Sequence, residues 1–126
     1  MRTLAVIAFI FIIVPLLLLA AGQFGLLKGR PPSEPGLRED KLKPPSRTQN
    51  SVSSQASLWP AADYAVEYAA IEPLAFTQDS ALAMNRLRDV LAGWPGAHII
   101  ENSPEYIYVQ FETRWLRFVD DAEFLL

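Results

Sequence analysis

YIYVQFE, at residues 106–112, carries the clearest structural signal in the chain. Ile107, Val109 and Phe111 would lie on one face of a β-strand, and the tyrosines and polar residues between them on the other. Such alternation is typical of a strand with one face in a core. The segment therefore predicts a sheet whose apolar face is covered by another element.

A helix is predicted upstream of this strand. Asp79 or Ser80 can cap its start, and Gly93 is placed to end it. Its apolar residues fall on one face at helical spacing, as expected of a helix that covers a sheet. These residues are Ala83, Leu87, Val90 and Leu91.

Further strands are predicted on both sides of residues 106–112. Residues 98–101 and 115–119 read as strands, the second with Leu116 and Phe118 inward, and 123–126 would start another. Residues 57–74 are expected to contain one short strand that ends near Ile71. The predicted fold is α+β, an antiparallel sheet of about four strands packed on one helix.

The folded part, residues 51–126, is acidic. It carries four basic and eleven acidic side chains, so a nucleic-acid partner is not expected, because phosphate binding requires a basic face. The absence of cysteine excludes disulfides and zinc thiolate sites.

Residues 28–50 are predicted to be a proline-rich basic linker. They contain six basic and three acidic side chains and few large apolar ones. Such a stretch is expected to be extended and semi-rigid, with basic residues that could lie on anionic lipid head groups or serve only as a solvated spacer. The five prolines of the linker are Pro31, Pro32, Pro35, Pro44 and Pro45.

Residues 1–27 are predicted to insert into a membrane. Leu4 to Ala21 is an uninterrupted run of eighteen apolar residues, enough to cross a bilayer as a helix. A retained single-span anchor is favoured over a cleaved signal peptide, whose charged residue would be Arg2. The basic residues behind the span argue for a cytoplasmic domain, whereas an apolar N-terminal segment normally directs export of the domain behind it.

Several segments together resemble domain-of-unknown-function family 1499, found in bacteria and plastids. They read NSVSSQA at residues 50–56, IEPL at 71–74 and FVDDAEF at 118–124, and the resemblance covers roughly residues 36–126. It implies a small, often membrane-tethered or exported domain with no established activity, hence export of the domain here. Family members carry cysteines where this chain has Pro45 and Ser51, and they continue past the FVDDAEF segment. The chain is therefore expected to be truncated at its C-terminal end.

Asp120, Asp121 and Glu123 are the strongest candidates for chemistry. Three carboxylates within four residues could hold a hard cation or perform acid–base catalysis. In a strand, Asp121 and Glu123 would share one face while Asp120 points away. The alternative is a solvated acidic corner paired with Arg114 or Arg117.

Two other groups are candidate ligand or partner surfaces. The first is a polar run at the linker junction, formed by Asn50, Ser53, Ser54 and Gln55; the second is aromatic, formed by Tyr106, Tyr108 and Trp115. The alternatives are a hydrogen-bonded loop and ordinary sheet packing. No serine stands in a nucleophile motif, and no cofactor is predicted.

These observations favour a non-enzymatic protein in the bacterial inner membrane, anchored by residues 4–21, with its domain on the periplasmic side. Such a domain would bind a lipid or an envelope protein. The alternatives are a metal-binding or hydrolytic domain that uses the acidic cluster, and a protein secreted after signal cleavage.

Overall fold

The computed structural model describes residues 2–30, 32, 34–64 and 66–126. Met1 and Pro31, which fall in the predicted membrane segment and linker, lie outside the described residues. The elements in chain order are α1 (Arg2–Gln23), β1 (Leu37–Arg38), β2 (Lys41–Leu42), α2 (Val66–Ala69), α3 (Ser80–Gly93), β3 (Ala97–Asn102), β4 (Tyr106–Glu112) and β5 (Val119–Leu125). Two short 3-10 helices, Ala56–Leu58 and Ala61–Asp63, precede α2.

The predicted fold class is confirmed. β3, β4 and β5 form an antiparallel sheet with β4 in the centre, and α3 packs on one face of it. Ile107 and Val109 of β4 are completely buried and contact Met84 and Leu91 of α3. The alternation in residues 106–112 therefore identified the core face correctly.

The cap predicted for α3 is present, but its buried face is rotated from the predicted one. Asp79 accepts hydrogen bonds from the backbone N–H groups of Ala81 and Leu82. Met84 is buried, whereas Val90 is 57% exposed, so the inclusion of Val90 in the core face was wrong. The apolar stripe runs through Met84, Leu87 and Leu91, which is the usual spacing of three and four residues.

Two predicted strands are absent. Near Ile71 there is only an isolated bridge between Ser53 and Ala70, next to the short helix α2. Residues 113–118 form the loop between β4 and β5, in which Arg117 has a φ of 56°. That left-handed residue ends any extended run before Val119, and β5 then includes the predicted strand at 123–126.

Part of the predicted linker forms a hairpin. β1 and β2 pair through the two-residue turn Glu39–Asp40, in which both residues have positive φ. That geometry is a type I′ turn, which matches the twist of paired strands. β2 contacts β5, so this hairpin lies against the sheet rather than apart from it.

α1 is long and apolar enough to cross a membrane, by length and composition. Most of its large apolar side chains are exposed, which is unlike a core helix of a soluble domain. An N-terminal signal sequence has the same properties. α1 is therefore a membrane anchor or a signal segment.

Candidate functional site

The face of the sheet opposite α3 carries tyrosines and carboxylates. Tyr106 and Tyr108 alternate with the core residues of β4, and Asp121 and Glu123 alternate in the same way on β5. Each tyrosine hydroxyl donates a hydrogen bond to a carboxylate diagonally across the strand pair. We call this surface the polar face.

Glu123 is the most enclosed carboxylate of the polar face, with its side chain 11% exposed. It accepts hydrogen bonds from the Tyr106 hydroxyl at 2.6 Å and the Gly36 N–H at 3.0 Å. The Lys43 ammonium lies 2.9 Å from its other oxygen. Burial, and then the hydrogen bond to Glu123, raise the pKa of Tyr106 above its ordinary value. The β1–β2 hairpin is thus fixed to the sheet through Glu123.

Asp121 has partners only on its own sheet. It accepts hydrogen bonds from the Tyr108 hydroxyl and, at 2.9 Å, from the side-chain amide of Gln110. Burial and the hydrogen bond to Asp121 raise the pKa of Tyr108 to about 12. Both bonds go to one oxygen of Asp121, and the residue is exposed, so the second oxygen is free to accept from solvent or a ligand.

Asp120 is separated from the other two carboxylates. It lies opposite Phe111, on the side of the sheet that faces α3. The pleat therefore divides the predicted acidic cluster as alternation requires. Among the residues described, no group of three His, Cys, Asp or Glu side chains is arranged to hold a metal ion. A metal site at Asp120, Asp121 and Glu123 stays a prediction.

Glu112, at the end of β4, joins three parts of the chain. It accepts a hydrogen bond from Arg117 at 2.6 Å and forms an ion pair with Lys28 at 2.9 Å. These bonds, that of Arg117 first, lower the pKa of Glu112 to about 2. Glu112 therefore ties the start of the linker to the loop between β4 and β5.

That loop, Thr113–Phe118, contacts the end of α1; we call it the anchor loop. The Gln23 side-chain amide donates to the Trp115 carbonyl at 3.0 Å, and Arg117 donates to the Gln23 carbonyl at 3.3 Å. Gly22 is buried so closely against Leu116 that a Cβ there would lie 2.6 Å from the Leu116 carbonyl oxygen. Only glycine allows this approach of helix and loop.

The tip of the anchor loop is exposed. Trp115 is 65% exposed, and the Arg114 guanidinium lies 5.3 Å from the centre of its ring. A shallow surface depression runs between this pair and Leu19 of α1. The Arg–Trp pair is thus adjacent to the end of the apolar helix.

A cavity of about 210 Å³ lies at the anchor-loop end of the polar face. Its floor is made by all three strands, and Lys28–Arg30 form its wall. We call it the anchor cavity. The strand residues that line it are His98, Gln110, Glu112, Val119 and Asp121.

The predicted partner surfaces are placed differently from one another. Tyr106 and Tyr108 are each only 4% exposed, so they do not form an open surface, whereas Trp115 does. In the polar run, Asn50 and Ser54 are exposed, but Ser53 is buried, and Gln55 accepts a hydrogen bond from the Leu42 N–H at 2.8 Å. The run therefore mainly holds the linker junction together.

An extended segment before α3 is rich in exposed apolar side chains. Leu74 is 73% exposed, and Ile71 and Phe76 are each about half exposed. α3 returns antiparallel to β3 after a short turn, so its start lies roughly 20 Å from the anchor-loop end. We call residues 71–76 the distal segment.

Sequence reasoning missed Lys28, Gly22 and Gln23 as parts of a site, because their partners lie more than 80 residues away in the chain. One signal was available. The apolar run is followed by Gly22, a small residue at the junction, and the predicted loop residues include the interface-favouring pair Arg114 and Trp115.

The model of the family described as Protein of unknown function (DUF1499) matches residues 41–126. No match was found among curated proteins or among solved structures. The matched residues include β2, the polar face, α3 and the anchor loop. The chain belongs to the DUF1499 family.

Proposed function

We propose that this DUF1499 protein is a single-span membrane protein whose non-enzymatic domain binds the surface of the bilayer that holds its own anchor. The observation that carries the proposal is the contact between the end of α1 and the anchor loop. A domain on a free tether would have no such contact.

The anchor loop has the side chains that favour a membrane interface. Tryptophan is enriched there because its ring is apolar and its N–H is polar, and arginine can extend its charged group to lipid phosphates. Phe24 and Leu26, directly after α1, are 82% and 76% exposed. With α1 in a bilayer, these residues and Trp115 would lie in the head-group region.

The carboxylates support a non-enzymatic role. Glu123 and Glu112 are held by cations and hydrogen-bond donors of the same chain, so they are poorly placed to bind a metal or to exchange protons with a substrate. Their present partners connect the linker to the sheet, which is a structural role.

The anchor is proposed to be retained, in the bacterial inner membrane with the domain on the periplasmic side. A signal-peptide cut near Ala20 or Ala21 would separate the membrane segment from Gly22, which is buried against the domain. The alternative of a secreted domain would lose the apolar neighbour of Trp115.

The depth of the anchor loop in a bilayer tests the proposal. Because the chain has no cysteine, Trp115→Cys gives one thiol for a spin label in the full chain reconstituted in vesicles. We expect the label to be relaxed by lipid-soluble oxygen more strongly than by a water-soluble nickel complex. Glu105→Cys, in the exposed turn between β3 and β4, is the control and should show the opposite preference.

Position 115 is suitable because its side chain is mostly exposed, so the substitution removes little packing. A label at 115 that is as accessible to the nickel complex as the label at 105 would overturn the proposal. In that case the contact with α1 would not bring the loop to lipid.

A second candidate function is binding of another protein through the distal segment. Apolar side chains as exposed as Ile71, Leu74 and Phe76 within six residues often mark an interaction surface. This surface would lie away from the bilayer, so both functions are compatible.

A photo-crosslinking residue at Leu74 tests the second candidate in living cells. We expect one discrete adduct that disappears when Ile71→Ser and Phe76→Ser are added, and no such adduct from the same residue at Glu105. Equal crosslinking from both positions would indicate unspecific contact and exclude the distal segment as the binding surface.

A further inference from the structure

We infer that the anchor cavity binds the head group of a phospholipid that carries a primary amine. The inference rests on the proposed function, because only a domain held at the bilayer would meet head groups there. It goes further by naming the lipid class and the residues that would recognise it.

The position of the cavity fits a head group. Lys28 and Arg30 follow the end of α1 by only five and seven residues, and Glu112 precedes the anchor loop directly. A volume of about 210 Å³ is below the usual size of pockets for drug-sized ligands. It would admit a polar head group while the acyl chains stay in the bilayer.

One side of the cavity is suited to the lipid phosphate. Lys28 and Arg30 come from the wall, and His98 stands across from them on β3. Lys28 is partly neutralised by Glu112 at 2.9 Å, whereas Arg30 is exposed at the rim. An arginine can hold a phosphate through two parallel hydrogen bonds.

The other side is suited to an ammonium group. Asp121 uses one oxygen for Tyr108 and Gln110, and its second oxygen accepts no hydrogen bond within the described part of the chain. Glu112 is balanced by both Lys28 and Arg117. Asp121 therefore remains the carboxylate that a bound cation would pair with.

These two halves select a lipid class. An ethanolamine head group has a phosphate and an N–H donor for Asp121, whereas choline has the charge but no N–H. A glycerol head group would bring an anion to Asp121 without a cation to neutralise it. We therefore expect phosphatidylethanolamine to be preferred.

Native mass spectrometry of the full chain with equimolar phosphatidylethanolamine, phosphatidylcholine and phosphatidylglycerol tests the inference. We expect bound phosphatidylethanolamine to exceed the other two by about tenfold, as for one added charge-assisted hydrogen bond. Asp121→Asn should remove this preference, and Arg30→Gln should lower binding of all three lipids. Arg38→Gln, another exposed arginine, is the matched control and should change nothing.

Competition distinguishes a lipid head group from free phosphate. Glycerophosphoethanolamine should displace the bound lipid at lower concentration than inorganic phosphate. Equal displacement by both, equal binding of the three lipids, or a preference that survives Asp121→Asn would each overturn the inference. The spin-label test does not depend on the amine, so an inserted anchor loop without lipid preference would refute this inference alone.

Discussion

Glu112, Asp121 and Glu123 lie on the same face of two neighbouring strands, but each has a different environment. Glu123 is enclosed by the hairpin, Asp121 is exposed, and Glu112 bridges two cations. Their roles therefore depend on the groups that the rest of the chain places beside them, and each can be tested separately.

The ion pairs of Glu112 predict a pH dependence. Its pKa is lowered from 4.5 to about 2 in the folded protein, so its contribution to stability is complete above about pH 4.5 and is lost as the pH falls toward 2. We expect the difference in free energy of unfolding between wild type and Glu112→Gln to shrink over this range. Denaturant titrations in detergent at several pH values measure it.

Glu105→Gln is the control for this experiment, because Glu105 is exposed and its side chain has no hydrogen bond or ion pair within the described residues. Its difference from wild type should stay near zero throughout. A difference for Glu112→Gln that does not change with pH would contradict the ion-pair assignment.

The acidic cluster predicts no metal binding. Asp120 faces away from Asp121, and Glu123 is already bound by Lys43 and Tyr106, so three oxygens cannot converge without breaking these bonds. Calorimetric titration of the full chain with Mg²⁺ or Ca²⁺ should give no saturable heat. Saturable binding that Asp121→Ala and Glu123→Ala abolish would favour the metal hypothesis instead.

Individual residues were predictable only where the local pattern determined them. Alternation placed Asp121 and Glu123 on one face and Asp120 on the other, as found. The partners of Glu123 were not predictable, because Lys43 and Gly36 lie at least 80 residues away along the chain. Their pairing depends on the path of the linker, which has no periodic pattern.

At the scale of elements, the β1–β2 hairpin is held by a turn with unfavourable residues. Glu39 and Asp40 both adopt positive φ, which costs a non-glycine residue roughly 1–2 kcal/mol. The Glu39–Lys41 ion pair is 3.5 Å long and mostly exposed, so it offsets little of this cost. The hairpin persists because Gly36 and Lys43 bind Glu123.

Replacing the turn with Asn-Gly, the preferred type I′ pair, should therefore stabilise the protein. We expect Glu39→Asn with Asp40→Gly to raise the free energy of unfolding by about 1 kcal/mol. Denaturant midpoints of the full chain in detergent measure the change. Asp40→Ala is the control, since alanine is also strained at positive φ, and an equal gain from it would refute the explanation.

The junction between α1 and the anchor loop depends on Gly22. A side chain at this position would collide with the Leu116 backbone, so Gly22→Val should separate the helix end from the loop. We expect faster amide hydrogen exchange in residues 113–118 of this variant. Gly93→Ala is the control, because a Cβ at Gly93 meets nothing within 4 Å; unchanged exchange in Gly22→Val would show that the contact does not order the loop.

Elements with a long regular pattern were predictable, and short irregular ones were not. α3 and β4 follow their periods closely, and the fold class follows from them. Residues 115–118 look like a strand because they alternate in polarity, but Arg117 adopts a left-handed conformation in a turn that receives hydrogen bonds from both ends. Such a turn leaves no pattern in the sequence when its residues are large.

At the scale of the whole molecule, the two ends of the domain differ. The anchor-loop end carries the Arg–Trp pair, the anchor cavity and the contact with α1. The opposite end carries the apolar distal segment. A membrane on one side and a protein on the other would use both surfaces at once, which a domain on a long flexible tether could not ensure.

The side of the membrane is a property of the whole chain, and two arguments from the sequence disagree about it. Lys28, Arg30 and the basic residues after them would favour the cytoplasm under the positive-inside rule. That rule applies to short loops, however, and long domains are translocated largely regardless of charge. Since 103 residues follow α1, we expect the domain to be exported.

Single thiols on either side of α1 test the sidedness. In intact cells whose outer barrier is opened, a membrane-impermeant maleimide should label Glu105→Cys at once, and Thr3→Cys only after the inner membrane is permeabilised. The intact mass of the labelled chain should include residues 2–23, as retention of the anchor requires. The reverse labelling order would place the domain in the cytoplasm, where the basic wall of the anchor cavity would face the anionic leaflet and the positive-inside rule would prevail.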